Sequence, residues 1–311
     1  MSAPSPETRF VDFNRHTVIY KTVNGHAIDV QVLIPKHVQS GSHPLFVQFH
    51  GGCLITGTAL HPDWFPPYVT SFILAHSAIL IAPNHRLLPE SRGADILTDL
   101  SDFWAWLQSS LPAYLTSILP ALHADFTHLL VSGDSAGGWM ALQSAYMLPK
   151  DFIKAMFLTY PITQALPGAG ATEKYGLPIP DAEWLERYLS NIKPGAVVTS
   201  AAPPARMDVC FALIEHGRMS EFLGAGAEFD TLEALDGATW FPRTWVLHGK
   251  DDTLVSLEYS VRLAEKVEGM FPGRLRLTVR PGEHAFDHGL CLSEEEKWLG
   301  EGLDWVAKAW L

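Results

Sequence analysis

The chain has 311 residues, of which 47% are hydrophobic and 18% charged. That is enough apolar material for a large core and excludes a disordered chain. The net charge of -12, with no lysine- or arginine-rich block, excludes a nucleic acid or an anionic membrane surface as the expected partner.

The first ten residues are polar and carry no apolar run of the kind a secretory signal needs. No stretch approaches the roughly 18 apolar residues of a membrane span. Cys53, Cys210 and Cys291 are far apart and form no C-x-x-C, so a reducing compartment, the cytoplasm, is expected.

Residues 17–20 and 27–34 read as two strands of a hairpin turning at Asn24-Gly25. Residues 45–49 and 78–82 are short apolar runs of the kind found in buried parallel strands. Between Gly93 and Leu111, Ile96, Leu100, Phe103, Leu107 and Leu111 fall at helical spacing, with Asp95, Asp99 and Asp102 off that stripe. A strand through Leu129-Leu130-Val131 follows, then a helix over residues 139–148. Further strands are expected at 152–160, 244–248 and 275–279. A final helix is expected behind a Ser293/Glu296 capping box, with Trp298, Trp305 and Ala309 along one face.

Alternating strands and helices predict an α/β fold, a mostly parallel sheet with helices on both faces. Residues 161–239 break the alternation. They are rich in Pro and Gly, with short helices expected near 181–190 and 203–219. The division expected is a core of residues 1–160 and 240–311 and a helical cap or lid insertion of residues 161–239. The competing account of that stretch is a pair of crossover helices with long loops.

The chemistry is carried by Gly133-Asp134-Ser135-Ala136-Gly137-Gly138, lying between an apolar strand and a helix. A serine on such a turn, with glycines two before and two after, is a candidate nucleophile. A serine hydroxyl needs a base, and the base needs an orienting acid. In the order Ser, acid, His, the chain offers His248-Gly249-Lys250-Asp251-Asp252 after one strand and Glu283-His284 after the last. Asp252 is preferred to Asp251, which is expected to cap the loop or face solvent. The N–H of Ala136, next to the nucleophile, is an expected oxyanion donor, and the loop His50-Gly51-Gly52-Cys53 is placed to supply others. His284 and His288 flank Asp287 at i,i+4 spacing, but no third metal ligand is evident, so neither a metal nor an organic cofactor is expected.

With these stretches in hand, the chain resembles the hormone-sensitive-lipase-type branch of the α/β-hydrolases, the α/β-hydrolase fold-3 family, and is similar to its fungal members. His50-Gly51-Gly52-Cys53, His85-Arg86-Leu87-Leu88-Pro89-Glu90 and Gly133-Asp134-Ser135-Ala136-Gly137-Gly138 match its three characteristic stretches in order, within residues 47–288. The resemblance implies an eight-stranded sheet and carboxylic-ester hydrolysis through Ser135, Asp252 and His284. It implies oxyanion donors at Gly52, Cys53 and Ala136. Two residues depart from the pattern: Cys53 stands where the family has glycine or alanine, and His85 where it often has tyrosine. Glu90 is expected to be a buried hydrogen-bonding partner. The family's N-terminal cap looks abbreviated, leaving the insertion to supply the cover.

Trp64, Phe65, Trp184, Tyr188 and Phe211 are each expected to pack in the core or lid. Together they suggest an apolar or aromatic small-molecule ester as substrate. Other readings on the same scaffold are an acyltransferase, a lyase or cyclisation catalyst of a biosynthetic pathway, an amide hydrolase, or a ligand-binding module.

Overall fold

The computed structural model describes residues 5–293 and 295–311. In chain order the elements are β1 (Phe13–Val23), β2 (His26–Pro35), β3 (Gly41–Phe49), α1 (Pro67–Ala75), β4 (Ile79–Pro83), α2 (Gly93–Ser109), α3 (Leu111–Ile118), β5 (Leu122–Asp134), α4 (Ala136–Met147) and β6 (Ala155–Thr159). There follow β7 (Glu173–Lys174), β8 (Leu177–Pro178), α5 (Ala182–Ser190), α6 (Met207–Glu215), α7 (Met219–Leu223), α8 (Thr231–Ala234), β9 (Arg243–Gly249), α9 (Leu257–Met270), β10 (Leu275–Arg280) and α10 (Lys297–Trp310).

Eight strands form one sheet in the order β1-β2-β4-β3-β5-β6-β9-β10. The β1–β2 hairpin turns at Asn24-Gly25, both with positive φ, and β2 joins β4 antiparallel. From β4 to β10 every neighbouring pair is parallel. The fold class is therefore the one the alternation predicts.

Strand periodicity sorts side chains into two cores. Leu45, Val47 and Phe49 of β3, with Leu129 and Val131 of β5, pack with α2 and α4 on one face. Phe46 and Leu130 point the other way, onto α1 and α10. Both faces being covered, the central strands read as near-continuous apolar runs. The register of β3 on β5 jumps from Pro44↔Asp125 to Leu45↔Leu129, leaving extra residues as a bulge in β5. β5 is longer than its apolar run because residues 122–125 already pair with residues 41–44 ahead of the bulge.

Two expectations at the C-terminus need correction. The capping box does not form: α10 begins at Lys297 with Glu296 as its N-cap, which makes no side-chain capping bond. The Glu296 carboxylate instead accepts from Trp298 Nε1. The buried face of α10 is Leu299, Gly302, Leu303, Val306 and Trp310, while Trp298, Trp305 and Ala309 are only partly buried at its flanks. Glycine at 302 marks that face. A Cβ there would lie 2.1 Å from the Trp245 ring, so the sequence's larger aromatics misplace the stripe by one position.

Residues 161–239 add no strand to the main sheet. They contain the β7–β8 hairpin and helices α5 to α8, and the single helix expected near 203–219 is two, α6 and α7, broken at Gly217 with φ +66.

Candidate active site

The site lies where the parallel strands end. β3 delivers the 50–57 loop, β5 the serine, β9 the 250–255 loop and β10 the 281–288 loop, the usual place for ligands in an open α/β sheet.

Ser135 stands between β5 and α4 with φ 53 and ψ -114, a conformation that costs a non-glycine residue about 1–3 kcal/mol. Its surroundings allow nothing bulky. A Cβ on Gly133 would meet Gly137 O at 2.1 Å, one on Gly137 would meet Phe49 O at 2.0 Å, and one on Gly138 would meet Pro161 Cβ at 2.4 Å. The serine is fixed by its N–H donating to Thr159 O at 2.9 Å and its carbonyl accepting from Ile162 N–H at 3.0 Å.

The loop after β3 is latched to the serine turn. Gly51 N–H donates to Asp134 Oδ2 at 2.9 Å, and Gln48 Nε2 donates to Oδ1 at 2.9 Å. Burial, then the nearby Asp287 carboxylate, pushes Asp134 up to about 7 despite these bonds. Gly52 has φ +103, and a Cβ there would sit 2.2 Å from Thr56 O, so glycine is required. Its carbonyl accepts from Ile55 and Thr56 N–H, which folds the loop back on itself. Cys53 and Leu54 follow with φ 56 and 62. Among the described residues, the N–H groups of Gly52, Cys53 and Ala136 have no acceptor. Ala136 is the first residue of α4, where backbone donors are unpaired by construction.

His284 Nδ1 donates to Asp252 Oδ2 at 2.7 Å, which fixes the ring's tautomer and leaves Nε2 as the acceptor. The Asp252 side chain is fully buried and well supplied with donors. Leu254 and Val255 N–H bond Oδ1 at 2.9 and 2.8 Å, and His248 Nε2 lies 3.3 Å from Oδ2. Burial pushes its carboxyl up, but the bonds from His248, His284 and Val255 outweigh that and hold it well below the usual carboxylate range. Asp251 is exposed and accepts from Gly282 N–H at 3.0 Å.

The structure brings Ser135, His284, Gly52 and Cys53 to the wall of one cavity of about 210 Å³ and joins Asp252 to His284 behind it. It does not close the serine–histidine bond: Ser135 Oγ is buried without a hydrogen-bond partner among the described residues. Such bonds are often open in unliganded sites and tighten around substrate.

Sequence reasoning missed much of the cavity wall. Trp64 and Phe211 line it, but Phe65 lies in the core, Trp184 packs against the core, and Tyr188 bonds Glu90 instead. Tyr175, Met207, Cys210 and Leu254 complete the apolar part. The sequence marks Tyr160 only as the end of a strand. Its ring tilts against His284 at 4.4 Å, and its hydroxyl donates to buried Asp287 at 2.9 Å. Asp287 also accepts from Tyr68. It thereby serves a buried tyrosine pair, and among the described residues no cluster of three metal-ligating side chains occurs.

A family model of the alpha/beta hydrolase fold matches residues 46–266. The chain belongs to the α/β-hydrolase family. This α/β-hydrolase is 30% identical over 316 residues to a probable carboxylesterase of a Phoma species, covering 97% of the chain and 98% of the relative. It is 32% identical to a probable carboxylesterase of Cochliobolus lunatus over 57% of the chain and 86% of the relative. Among solved structures, a fungal esterase from Rhizomucor miehei superposes with a TM-score of 0.65 at 21% identity, covering 96% of this chain and 83% of that one. An α/β-hydrolase superfamily protein of Enterococcus faecalis gives 0.67 at 15% identity, with 95% and 99% covered.

Proposed function

We propose that this α/β-hydrolase cleaves carboxylic esters by two-step acyl transfer, with Ser135 as nucleophile, His284 as base and Asp252 as orienting acid. The observation that carries the reading is the 2.7 Å Asp252–His284 bond, formed at the rim of the cavity that holds a strained serine beside unpaired N–H groups.

His284 Nε2 takes the hydroxyl proton as Ser135 Oγ attacks the ester carbonyl. The carbonyl oxygen becomes an oxyanion held by the N–H groups of Gly52, Cys53 and Ala136. Each such donor is worth roughly 10²–10³ in turnover. His284 then protonates the leaving alcohol. Water, deprotonated by the same imidazole, releases the acid and restores Ser135. Ionised Asp252 stabilises the imidazolium at both stages.

Trp64, Met207, Phe211 and Leu254 favour a small ester with an apolar or aromatic group. Residues 161–239 act as the cap over residues 1–160 and 240–311, since α6 and the β7–β8 hairpin supply Met207, Cys210, Phe211 and Tyr175 to the wall. Three free cysteines support a reducing, cytoplasmic setting.

A panel of p-nitrophenyl esters of increasing acyl length, run on wild type and Ser135→Ala, tests the scheme. Turnover should fall by about 10³-fold or more in the variant, and a fluorophosphonate should label wild type only. Near-normal turnover by Ser135→Ala would falsify the assignment of the nucleophile.

A further inference from the structure

Arg206 lies in the 161–239 segment, outside the reacting groups, yet it is wired into the loop that carries Gly52 and Cys53. It has φ 65, in the left-handed region, immediately before α6. Its side chain is largely buried, as is that of its partner Glu90. Every nitrogen of the guanidinium is used. Nε donates to Ile55 O at 2.8 Å. Nη1 donates to Glu90 Oε1 and to Tyr188 Oη, both at 2.9 Å. Nη2 donates to Leu88 O and Glu90 Oε2, both at 2.6 Å.

The same seam has further stitches. Thr56 Oγ1 donates to Ala205 O at 2.6 Å, and Gly57 and Ala201 exchange backbone bonds at 2.8 Å each way. Leu88 N–H donates to Leu54 O at 2.8 Å. The 52–57 turn is therefore gripped from two sides, and Arg206 is the side chain that touches both grips. It also fixes the start of α6, whose Met207, Cys210 and Phe211 form the cavity wall.

Cys53 and Leu54 both sit at positive φ without being glycine, so the turn is not held by its own preferences. A turn of that kind keeps its shape only when its surroundings over-determine it.

We propose that Arg206 is a positioning residue for the oxyanion hole: by holding Ile55 O and Leu88 O in one rigid fork, it sets the Gly52 and Cys53 N–H groups at the spacing from Ala136 that a tetrahedral oxyanion requires. This rests on the ester-hydrolase reading and deepens it. A planar fork with fixed donor directions can satisfy two carbonyls and a carboxylate together. A lysine ammonium, a point charge on a flexible stem, cannot.

The test compares wild type, Arg206→Lys, Glu90→Gln and Arg218→Ala. Arg218 pairs with Glu186 and Glu221 in the same segment but touches nothing in the 52–57 turn, so it controls for lost ion pairing. For a short p-nitrophenyl ester, Arg206→Lys should lower kcat about 10- to 100-fold with KM within about 3-fold, the signature of an interaction made only in the transition state. Affinity for an arylboronic acid, which forms a tetrahedral adduct on the serine, should weaken by a similar factor. Glu90→Gln should move both quantities in the same direction by less, and Arg218→Ala should move neither. The boronate titration needs no turnover. Fluorophosphonate labelling of wild type reports separately on the serine, so failure of the ester reading and failure of this proposal are distinguishable. A rise in KM at unchanged kcat, unchanged boronate affinity in folded Arg206→Lys, or an equal loss in Arg218→Ala overturns the proposal. Should Arg206→Lys not fold, an unaltered kcat and boronate affinity in Glu90→Gln does the same.

Discussion

An imidazole with neither ring nitrogen bonded is costly to bury, and His85 is such a group among the described residues. It stacks on His50 with ring centroids 4.7 Å apart and planes 19° from parallel. His50 Nδ1 donates to Gly51 O at 2.7 Å, but its Nε2 has no partner among the described residues. Burial pushes His50 down to about 4, and burial together with the His50 charge pushes His85 well below its ordinary value. In the unfolded chain both return to about 6.5. As pH falls below that, the unfolded chain takes up protons that the folded one refuses. The stability is thus present above about pH 6.5 and is lost as pH falls towards 4. His50 alone makes this loss about 2 kcal/mol between pH 8 and pH 5. Asp134 acts oppositely: its raised value favours the folded state in acid, and that contribution is lost as pH rises through about 7. One variant isolates the histidine part. His85→Phe keeps a ring on His50 and removes both orphaned nitrogens. Its Tm, measured at pH 8 and pH 5, should fall by several degrees less on acidification than that of wild type. Equal falls would show that the His85 ring does not contribute to acid sensitivity.

At the scale of elements, the active site depends on α4 starting hard against β3. Gly137 makes that approach possible, since any Cβ there meets Phe49 O at 2.0 Å. Gly137→Ala should push the first turn of α4 away from the 50–53 loop and spread the N–H groups of Ala136 and Gly52. Esterase turnover should drop by at least about 10²-fold, comparable to removing one oxyanion donor. An active Gly137→Ala enzyme of normal Tm would mean that the helix start tolerates displacement. These loops were legible in the sequence because each follows an apolar strand and uses residues with few other reasons to occur there, such as Gly133, Gly137 and the Gly51-Gly52 pair. The cavity wall was not. Tyr175 sits on a hairpin too short to give a period, and Arg206 meets Glu90 across more than a hundred residues in a conformation no local pattern signals. Asp287 looked like part of a histidine pair, whereas its burial between Tyr68 and Tyr160 depends on where α1 and β6 fall. The Ser293/Glu296 pattern failed for a related reason: a capping signature carries no information on whether the next residue begins the helix.

Over the whole molecule, stability and chemistry occupy different places. The face carrying α1 and α10 is packed with aromatics, including Trp245 stacked on Phe157 at 4.7 Å and Trp310 against Phe46 and Phe72. None of these residues lines the 210 Å³ cavity. Gly302→Ala forces a methyl into the Trp245 ring and should cost about 1–3 kcal/mol by overpacking. A fall of several degrees in Tm with kcat and KM unchanged at 25 °C is expected, and a parallel loss of kcat would mean that the two faces are coupled. Among the described residues no helix is long and apolar enough to cross a membrane. The grip of residues 198–206 on the 54–57 and 87–90 loops has a consequence for traffic through the molecule. That border is sewn shut by a guanidinium fork and paired main-chain bonds. Across the cavity, the exposed β7–β8 hairpin reaches the 250–255 loop through Thr253, where Lys174 Nζ bonds its carbonyl. An opening that left the sewn border intact would have to part the Lys174–Thr253 contact instead, on the side of the cavity that Tyr175 lines.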